Sequence, residues 1–240
     1  FLYFIDISPT PSSNLFIFIF IYFLFNIDLD NVFMFRAGRL LRKVQVKDFP
    51  HTRLVTLDRE KAHNALNLHM VEELHRALVA DPHPHPSSVV VLKGAGAKAF
   101  CAGGDVVSVV KDEPSGTRQA FFFKEYTVNH HLLTSPNTQV SLWNGIVMGG
   151  GVGMSIHGKY RVATEQALFA MPETGIGLFP DVGGSWFLPR LPDKALGLYL
   201  ALTGRRLKGA DLVHAGLATH YVPAEKLPVL EAQLCERKST

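Results

Sequence analysis

Apolar positions along this chain recur with two periods, and the changes between them mark out its elements. Arg42–Val46 and Arg53–Leu57 are β-rich runs on either side of a turn containing Pro50, and they predict an opening hairpin. From Asn67 to Ala80, Leu68, Val71, Leu74 and Leu78 return at three- and four-residue spacing. That spacing predicts a helix, with Glu72, Glu73 and Arg76 pointing outward. Asp81–Ser88 (DPHPHPSS) reads as a proline-rich loop. Ser88–Lys93 carries the run VVVLK, a buried strand that ends at Gly94. Gln119–Thr134 predicts a helix lined by Phe122, Tyr126, His130 and Leu133. Val140–Trp143, Tyr160–Ala163 and Ala167–Ala170 read as strands, and Lys194–Thr203 and Gly209–His214 as helices. Strand and helix alternate through short links, so the chain is α/β. No internal repeat is visible.

Composition narrows the class. Of 240 residues, 47% are hydrophobic and 19% charged, which suits one domain with a sizeable core. The net charge is only +3, and no arginine-rich or aromatic-interleaved stripe appears, so a nucleic-acid partner is not expected. Cys101 and Cys235 are the only cysteines. They argue against a disulfide scaffold or a cysteine zinc site and fit a reducing compartment.

The first 33 residues stand apart. Leu15–Phe25 (LFIFIFIYFLF) is an apolar run of 11 residues, short of the roughly 20 that cross a bilayer, so no membrane span is expected. No Lys or Arg precedes it and no small-residue cleavage site follows, as a secretory signal requires. Residues 1–33 therefore read as a hydrophobic extension outside the domain, with Met34 as the natural start. Residues 34–43 (MFRAGRLLRK) are basic and free of acids, a pattern shared by short mitochondrial targeting segments and by plain basic tails. The domain proper is assigned to 44–240.

Candidate chemistry concentrates between Gly145 and Gly184. Gly149, Gly150 and Gly151 open an apolar segment that suits a helix through Val152–Ile156. Backbone N–H groups bared at such a start can hold a developing oxyanion. Glu173 follows in Met-Pro-Glu, and Asp181 follows in Phe-Pro-Asp. Two carboxylates on nearby loops can make and break bonds as acid, base or nucleophile. Apolar Phe169, Ala170 and Met171 beside Glu173 are surroundings that raise a carboxyl pKa. Upstream, Phe100–Asp105 (FCAGGD) supplies a second glycine-rich turn. Two such turns with a Glu/Asp pair suggest acyl-thioester chemistry.

Other motifs lead elsewhere and fail on inspection. Gly153–Lys159 fits G-x-x-x-x-G-K, but Tyr160 replaces the hydroxyl residue that binds magnesium, and helix rather than strand precedes it. No G-x-G-x-x-G is present. Ser155 lies outside a G-x-S-x-G elbow. Cys101 reads as a small buried residue. His83, His85, His130 and His131 do not combine with cysteines or acids at ligand spacing, so no metal is expected.

Four segments, FCAGGD, NGIVMGGGVG, FAMPETGIGLFPDVGG and LTGRRLKGADLVHAGLATHYV, resemble the enoyl-CoA hydratase/isomerase (crotonase) superfamily over Val44 to Leu227. Within it they are most similar to the 3-hydroxyisobutyryl-CoA hydrolases. The resemblance implies a spiral of ββα turns, which periodicity alone does not distinguish from a doubly wound sheet. It also implies a further C-terminal helical part that is missing after Leu227.

The resemblance assigns roles residue by residue. Oxyanion donors fall on Gly104 and Gly150. Glu173 becomes the recurring catalytic carboxylate, acting as nucleophile or base. Asp181 holds the substrate's 3-hydroxyl or positions the attacking water, and Glu125 contacts substrate. DREKAHNAL (Asp58–Leu66) matches the segment lining the CoA adenine pocket, with Lys61 and Ala62 as CoA-binding candidates. It departs from the usual Asn-Arg-Pro-Lys, and His63 stands where an apolar residue is common. Many hydratases carry a second glutamate two residues past the triple glycine and a glycine at the position of Asp181, whereas this chain has Gly153 and Asp181 there.

The expected activity is therefore hydrolysis of 3-hydroxyisobutyryl-CoA or a related 3-hydroxyacyl-CoA in valine breakdown. It needs no cofactor, since coenzyme A is part of the substrate. The resemblance further implies trimers and their multiples, and the basic segment at 34–43 suggests a mitochondrial location, with peroxisomal or cytoplasmic alternatives. Two other readings stay open: a non-catalytic structural subunit, and another crotonase-type enzyme such as an isomerase.

Overall fold

The computed structural model describes residues 43–81 and 89–236. The readings of residues 1–33, of the basic segment up to Arg42 and of the proline-rich loop after Asp81 fall outside the described residues.

Strands β1 (Val44–Phe49) and β2 (Thr52–Leu57) form the expected hairpin, antiparallel and paired from Val44↔Leu57 to Phe49↔Thr52. The chain then alternates between two sheets. Strands β3 (Val89–Gly94), β5 (Thr138–Trp143), β7 (Tyr160–Ala163) and β10 (His220–Tyr221) extend a six-stranded sheet in the order β1-β2-β3-β5-β7-β10. Strands β4 (Ala99–Cys101), β6 (Ile146–Met148), β8 (Leu168–Ala170) and β9 (Leu207–Lys208) form a smaller one in the order β4-β6-β8-β9. Each of the pairs β3/β4, β5/β6 and β7/β8 gives one strand to each sheet, and helical segments separate successive pairs. This is the spiral of ββα turns. Beyond the hairpin the larger sheet is parallel, while the smaller one is parallel except for β8 with β9.

A parallel sheet must be covered on both faces. In β3, Val90 and Leu92 face the main core with Trp143, Phe100 and Met154, while Val89 and Val91 face a second core with Val140, Leu142 and Val162. The second core is closed by Leu227, Leu230 and Leu234 of the C-terminal helix α8, Leu227–Cys235. That helix is tied across the sheet by Lys93 Nζ to Glu231 (2.6 Å) and by the Thr52 hydroxyl donating to Leu234 O (2.8 Å).

The remaining helices are α1 (Leu68–His75, extended through one wide turn at Arg76–Ala80), α2 (Val106–Lys111), α3 (Thr117–Thr134), α4 (Gly150–Gly153), α5 (Gly184–Phe187), α6 (Lys194–Thr203) and α7 (Asp211–His214). Asn67 caps α1 by accepting from Met70 N at 3.0 Å, and Val71, Leu74 and Leu78 are buried as predicted.

Several expectations are corrected. Glu73 does not point into solvent: its Oε2 accepts from Lys43 N (3.0 Å) and Val44 N (2.9 Å), so α1 caps the start of β1. The buried stripe of α3 is Phe121, Glu125, Val128, Asn129 and Leu132, one residue off the apolar pattern. The helix after the triple glycine ends at Gly153 rather than Ile156, and α7 begins at Asp211 rather than Gly209.

Candidate active site

Two glycine turns approach each other at the ends of β4 and β6. Asn64 braces the first turn from below. Its Nδ2 donates to Ala95 O (3.0 Å) and Ala99 O (2.8 Å), and its Oδ1 accepts from Arg59 N (2.9 Å). Leu66 N donates to Gly103 O (2.8 Å), and Asp105 N donates to Leu66 O (2.7 Å). These bonds use the groups on either side of Gly104, so its own N–H turns away from Leu66. A Cβ built on Gly150 would lie 3.3 Å from Gly104 N. Asp105 locks the turn: it pairs with Arg59 Nη1 at 2.7 Å and caps α2 by accepting from Ser108 N at 3.2 Å.

In the second turn, Gly149 N donates to Ala170 O (3.3 Å), and its carbonyl accepts from Val152 N and Gly153 N. The Gly150 N–H lies in the first turn of α4, where no earlier helical carbonyl can accept it. These positions need glycine because the chain passes so close to its neighbours. A Cβ on Gly149 would fall 2.8 Å from Glu173 Oε1, and one on Gly150 would overlap Glu125 Oε1.

Three carboxyl groups gather around this point from three separate elements. Glu125 comes from the buried face of α3 and is 2% exposed. Glu173 opens a single 3₁₀ turn (Glu173–Ile176) after Pro172 and is 5% exposed, so it is not a surface-loop residue. Asp181 is 9% exposed and accepts from the Tyr126 hydroxyl at 2.9 Å. Glu125 Oε1 and Glu173 Oε2 are buried without a hydrogen-bond partner.

Crowding three acids out of water favours their protonated forms. Burial, then the charges of Asp181 and Glu173, holds Glu125 well above the usual carboxylate range. Burial lifts Glu173 to about 7; its own backbone N–H opposes this and the Asp181 charge adds to it. Burial also raises Asp181, against the Tyr126 hydroxyl, which favours its charged form. The cluster can thus hold both an ionised and a neutral carboxyl near neutral pH, beside two backbone N–H donors.

The structure therefore brings Gly104, Gly150, Glu125, Glu173 and Asp181 together. Lys61 and Ala62 lie on a neighbouring 3₁₀ turn, Glu60–Ala62, which is tied to the first glycine turn by Ala102 N donating to His63 O at 3.0 Å. Lys61 is exposed and Ala62 half-buried. Cys101 is fully buried under the turn and its thiol is pushed up to about 12 by burial, which removes it as a nucleophile. Among the described residues, no group of three or more His, Cys, Asp or Glu is arranged to hold a metal ion, and no helix is long and apolar enough to cross a membrane.

Four residues escaped the sequence reading as parts of the site: Arg59, Tyr126, Asn129 and His157. Tyr126 adjoins Glu125, and its place beside a carboxylate on a helix was the one available signal. Asn129 shares the buried face of α3 with both amide atoms unpartnered, and its Oδ1 would meet a Cβ on Gly153 at 3.0 Å. His157 Nε2 lies 2.9 Å from Val182 O, and burial lowers its pKa. Arg59 lies in the DREKAHNAL segment, where its tie to Asp105 gives no sequence signal, and His157 has no periodic or motif signal of its own.

Position 153 matters for what the cluster can do. A Cβ on Gly153 would lie 2.5 Å from Val182 Cβ. The glutamate that hydratases carry there has no room here.

The fold and the paired glycine turns define the class, and the chain belongs to the enoyl-CoA hydratase/isomerase family, whose model matches residues 52–240. Among solved structures, a carnitinyl-CoA dehydratase from Mycobacterium thermoresistibile superposes with a TM-score of 0.75 at 42% identity, covering 81% of this chain and 58% of that one. An enoyl-CoA hydratase from Bacillus anthracis gives a TM-score of 0.74 at 31% identity, covering 81% of this chain and 76% of that one.

Curated relatives carry a more particular name. The 3-hydroxyisobutyryl-CoA hydrolase, mitochondrial, of Danio rerio is 53% identical over 188 residues, covering 78% of this chain and 49% of the relative. Its Homo sapiens counterpart is 50% identical over 190 residues, with coverage of 78% and 49%. The 3-hydroxyisobutyryl-CoA hydrolase 1 of Arabidopsis thaliana is 48% identical over 200 residues, with coverage of 82% and 52%. The chain thus spans about half the length of the curated relatives it matches.

Proposed function

We propose that this protein hydrolyses 3-hydroxyisobutyryl-CoA, or a closely related 3-hydroxyacyl-CoA thioester, to the free acid and CoA. One observation carries the reading. Buried Glu173 and Asp181 stand at the paired glycine turns, while position 153, where a hydratase needs its other carboxylate, is closed by Val182. The relatives named 3-hydroxyisobutyryl-CoA hydrolase support the acyl group, and that name supports a place in valine breakdown. Their mitochondrial designation, together with the basic segment at 34–43, supports a mitochondrial location. Assembly into trimers or their multiples is part of the same proposal.

The thioester carbonyl oxygen docks between the N–H groups of Gly104 and Gly150. As the carbonyl carbon becomes tetrahedral, negative charge grows on that oxygen, and two fixed donors stabilise it more than they stabilise the flat ground state. Ionised Glu173 takes a proton from the attacking water, or attacks the carbonyl carbon itself to form a mixed anhydride that water then hydrolyses, freeing the carboxylate. Its raised pKa makes it a stronger base than an exposed carboxylate, at the cost of needing a pH near or above 7 to be ionised. The C–S bond breaks, and the departing sulfur takes up one proton of the consumed water, so that CoA leaves as the thiol. The net reaction consumes one water. Asp181 accepts from the substrate's 3-hydroxyl, Glu125 borders the acyl group beside Gly150, and Lys61 with Ala62 flanks the CoA moiety.

The test is a side-by-side assay of the protein with 3-hydroxyisobutyryl-CoA and crotonyl-CoA. The expected result is free thiol from the first and little or no hydration of the second. Efficient hydration of crotonyl-CoA without thiol release would overturn the hydrolase reading while leaving the family intact.

A further inference from the structure

Asp181 enters the carboxylate cluster on a backbone that needs external support. The next residue, Val182, has φ +44, in the left-handed region that β-branched side chains avoid, and Gly183 follows at φ +86. The turn closes when Gly184 N donates to Asp181 O at 2.7 Å. Two side chains from other parts of the fold grip it. From α3, the Tyr126 hydroxyl donates to Asp181 Oδ2 at 2.9 Å. From the segment after α4, His157 Nε2–H donates to Val182 O at 2.9 Å. The Cε1–Nε2 edge of the imidazole also packs closely against Gly183: a Cβ there would meet Cε1 at 2.5 Å and Nε2 at 2.8 Å.

We propose that Tyr126 and His157 are positioning residues for Asp181, and that together they set the preference of the site for acyl groups bearing a 3-hydroxyl. Tyr126 fixes the carboxylate by donating to Oδ2, and the carboxylate's remaining lone pairs are left to accept from substrate. His157 fixes the strained turn that carries it. An acceptor held in place before substrate arrives discriminates strongly, because an acyl group lacking the hydroxyl leaves that buried acceptor unpaired. A mobile carboxylate discriminates weakly, since it can swing to another partner.

The inference rests on the thioester-hydrolase reading for its substrates, so the experiment has one arm that needs no catalysis. In the first arm, Tyr126→Phe, His157→Ala and His157→Gln are compared by the ratio of kcat/KM for 3-hydroxyisobutyryl-CoA to that for isobutyryl-CoA. Tyr126→Phe and His157→Ala should each lower this ratio about tenfold, the effect of one lost hydrogen bond to a charged or strained group. His157→Gln, which retains a side-chain N–H, should recover most of it. Tyr126→Phe should add nothing in an Asp181→Asn background. A loss shared equally by both substrates would mean that the two residues only support the fold, and would overturn the proposal.

The second arm measures hydrogen exchange without substrate at the amides of Gly184, Trp186 and Phe187, whose acceptors are Asp181 O and Gly183 O. Exchange there should quicken in Tyr126→Phe and in His157→Ala, and elsewhere stay as in the wild type. Unchanged exchange at these amides would overturn the positioning role. If the wild-type protein cleaves neither thioester, the functional reading fails by itself, and the exchange arm still decides whether the two residues hold the turn.

Discussion

Replacing Glu173 by Gln should separate the chemistry of this carboxyl from its cost to the fold. The carboxyl is 5% exposed, and burial lifts its pKa from an ordinary 4.5 to about 7. One pKa unit corresponds to about 1.36 kcal/mol, so ionising Glu173 costs on the order of 3 kcal/mol more in the folded protein than in the unfolded chain. The sign follows from proton linkage. Between pH 4.5 and about 7 the folded protein binds more protons at this site than the unfolded one. Stability therefore falls as pH rises through that window, and the full penalty is present above it.

Glutamine keeps the shape and carries no charge. At pH 8 the variant should melt higher than at pH 5 relative to wild type, the difference between the two comparisons being roughly 5–10 °C for a domain of this size. Any penalty for burying an unpartnered amide shifts both pH values equally and drops out of that difference. Turnover should fall at least about a thousandfold, with acyl-CoA binding held within an order of magnitude. In the wild type, kcat/KM should decline as pH falls below about 7, because the base is lost to protonation. Calorimetry at the two pH values and a thiol-release assay check all of this. An equal melting difference at both pH values would refute the buried-charge argument, and near-wild-type turnover would remove Glu173 from the mechanism.

Other substitutions probe the neighbours. Asp181→Gly should weaken hydrolysis most for 3-hydroxylated acyl groups, which a panel of acyl-CoAs with and without the hydroxyl would reveal. Gly150→Ala places a methyl group against Glu125 Oε1 and 3.3 Å from Gly104 N. It should cut kcat by about 10²–10³, measured by steady-state kinetics on a protein whose circular dichroism is unchanged. Gly153→Glu forces a side chain into Val182, 2.5 Å from the new Cβ. It should destabilise the fold by about 1–3 kcal/mol in denaturant titration and create no crotonyl-CoA hydration.

What the sequence made legible was local. The two glycine turns, Glu173 and Asp181 sit in short motifs whose residue types speak for themselves. Strands such as Tyr160–Ala163 and the helix Lys194–Thr203 match the structure because enough residues repeat to show a period. The stripe of α3 was misplaced by one residue because its buried face carries Glu125 and Asn129. Polar groups turned inward toward a site look, in an apolar pattern, like solvent positions. Helix α2 is nearly all valine, with Val106, Val107 and Val110 exposed, so its composition gives no helical signal. What makes it a helix is the Asp105 cap, held by Arg59 from elsewhere in the chain. Strands of two or three residues such as β6 and β9 are too short to show a period and arise from pairing. Glu73 read as outward because its donors, the amides of Val44 and Lys43 at the start of β1, are 29 and 30 residues away in the chain.

Gly153 and Asp181 look like independent departures from the hydratase pattern, but the structure couples them. Val182 is the residue after Asp181, and its side chain fills the space that any side chain at 153 would need. Inserting a glutamate at 153 would drive Val182 aside. The left-handed turn at Val182 is what presents Asp181 to the cluster, so Asp181 would leave with it. In this backbone a side chain at 153 and the Val182 side chain compete for the same volume. On the proposed reading, the turn that presents the acceptor at 181 leaves no room for an acid or base at 153, and the remaining chemistry falls to Glu173 and the two backbone donors. Addition of water across a double bond takes a proton from the water attacking one carbon and gives a proton to the other, and a site with one carboxylate fewer is poorly equipped for both transfers. Cleavage of a thioester needs one base or nucleophile and a stabilised oxyanion. A single steric exclusion between Gly153 and Val182 therefore accounts for both sequence departures and for the direction in which they move the chemistry.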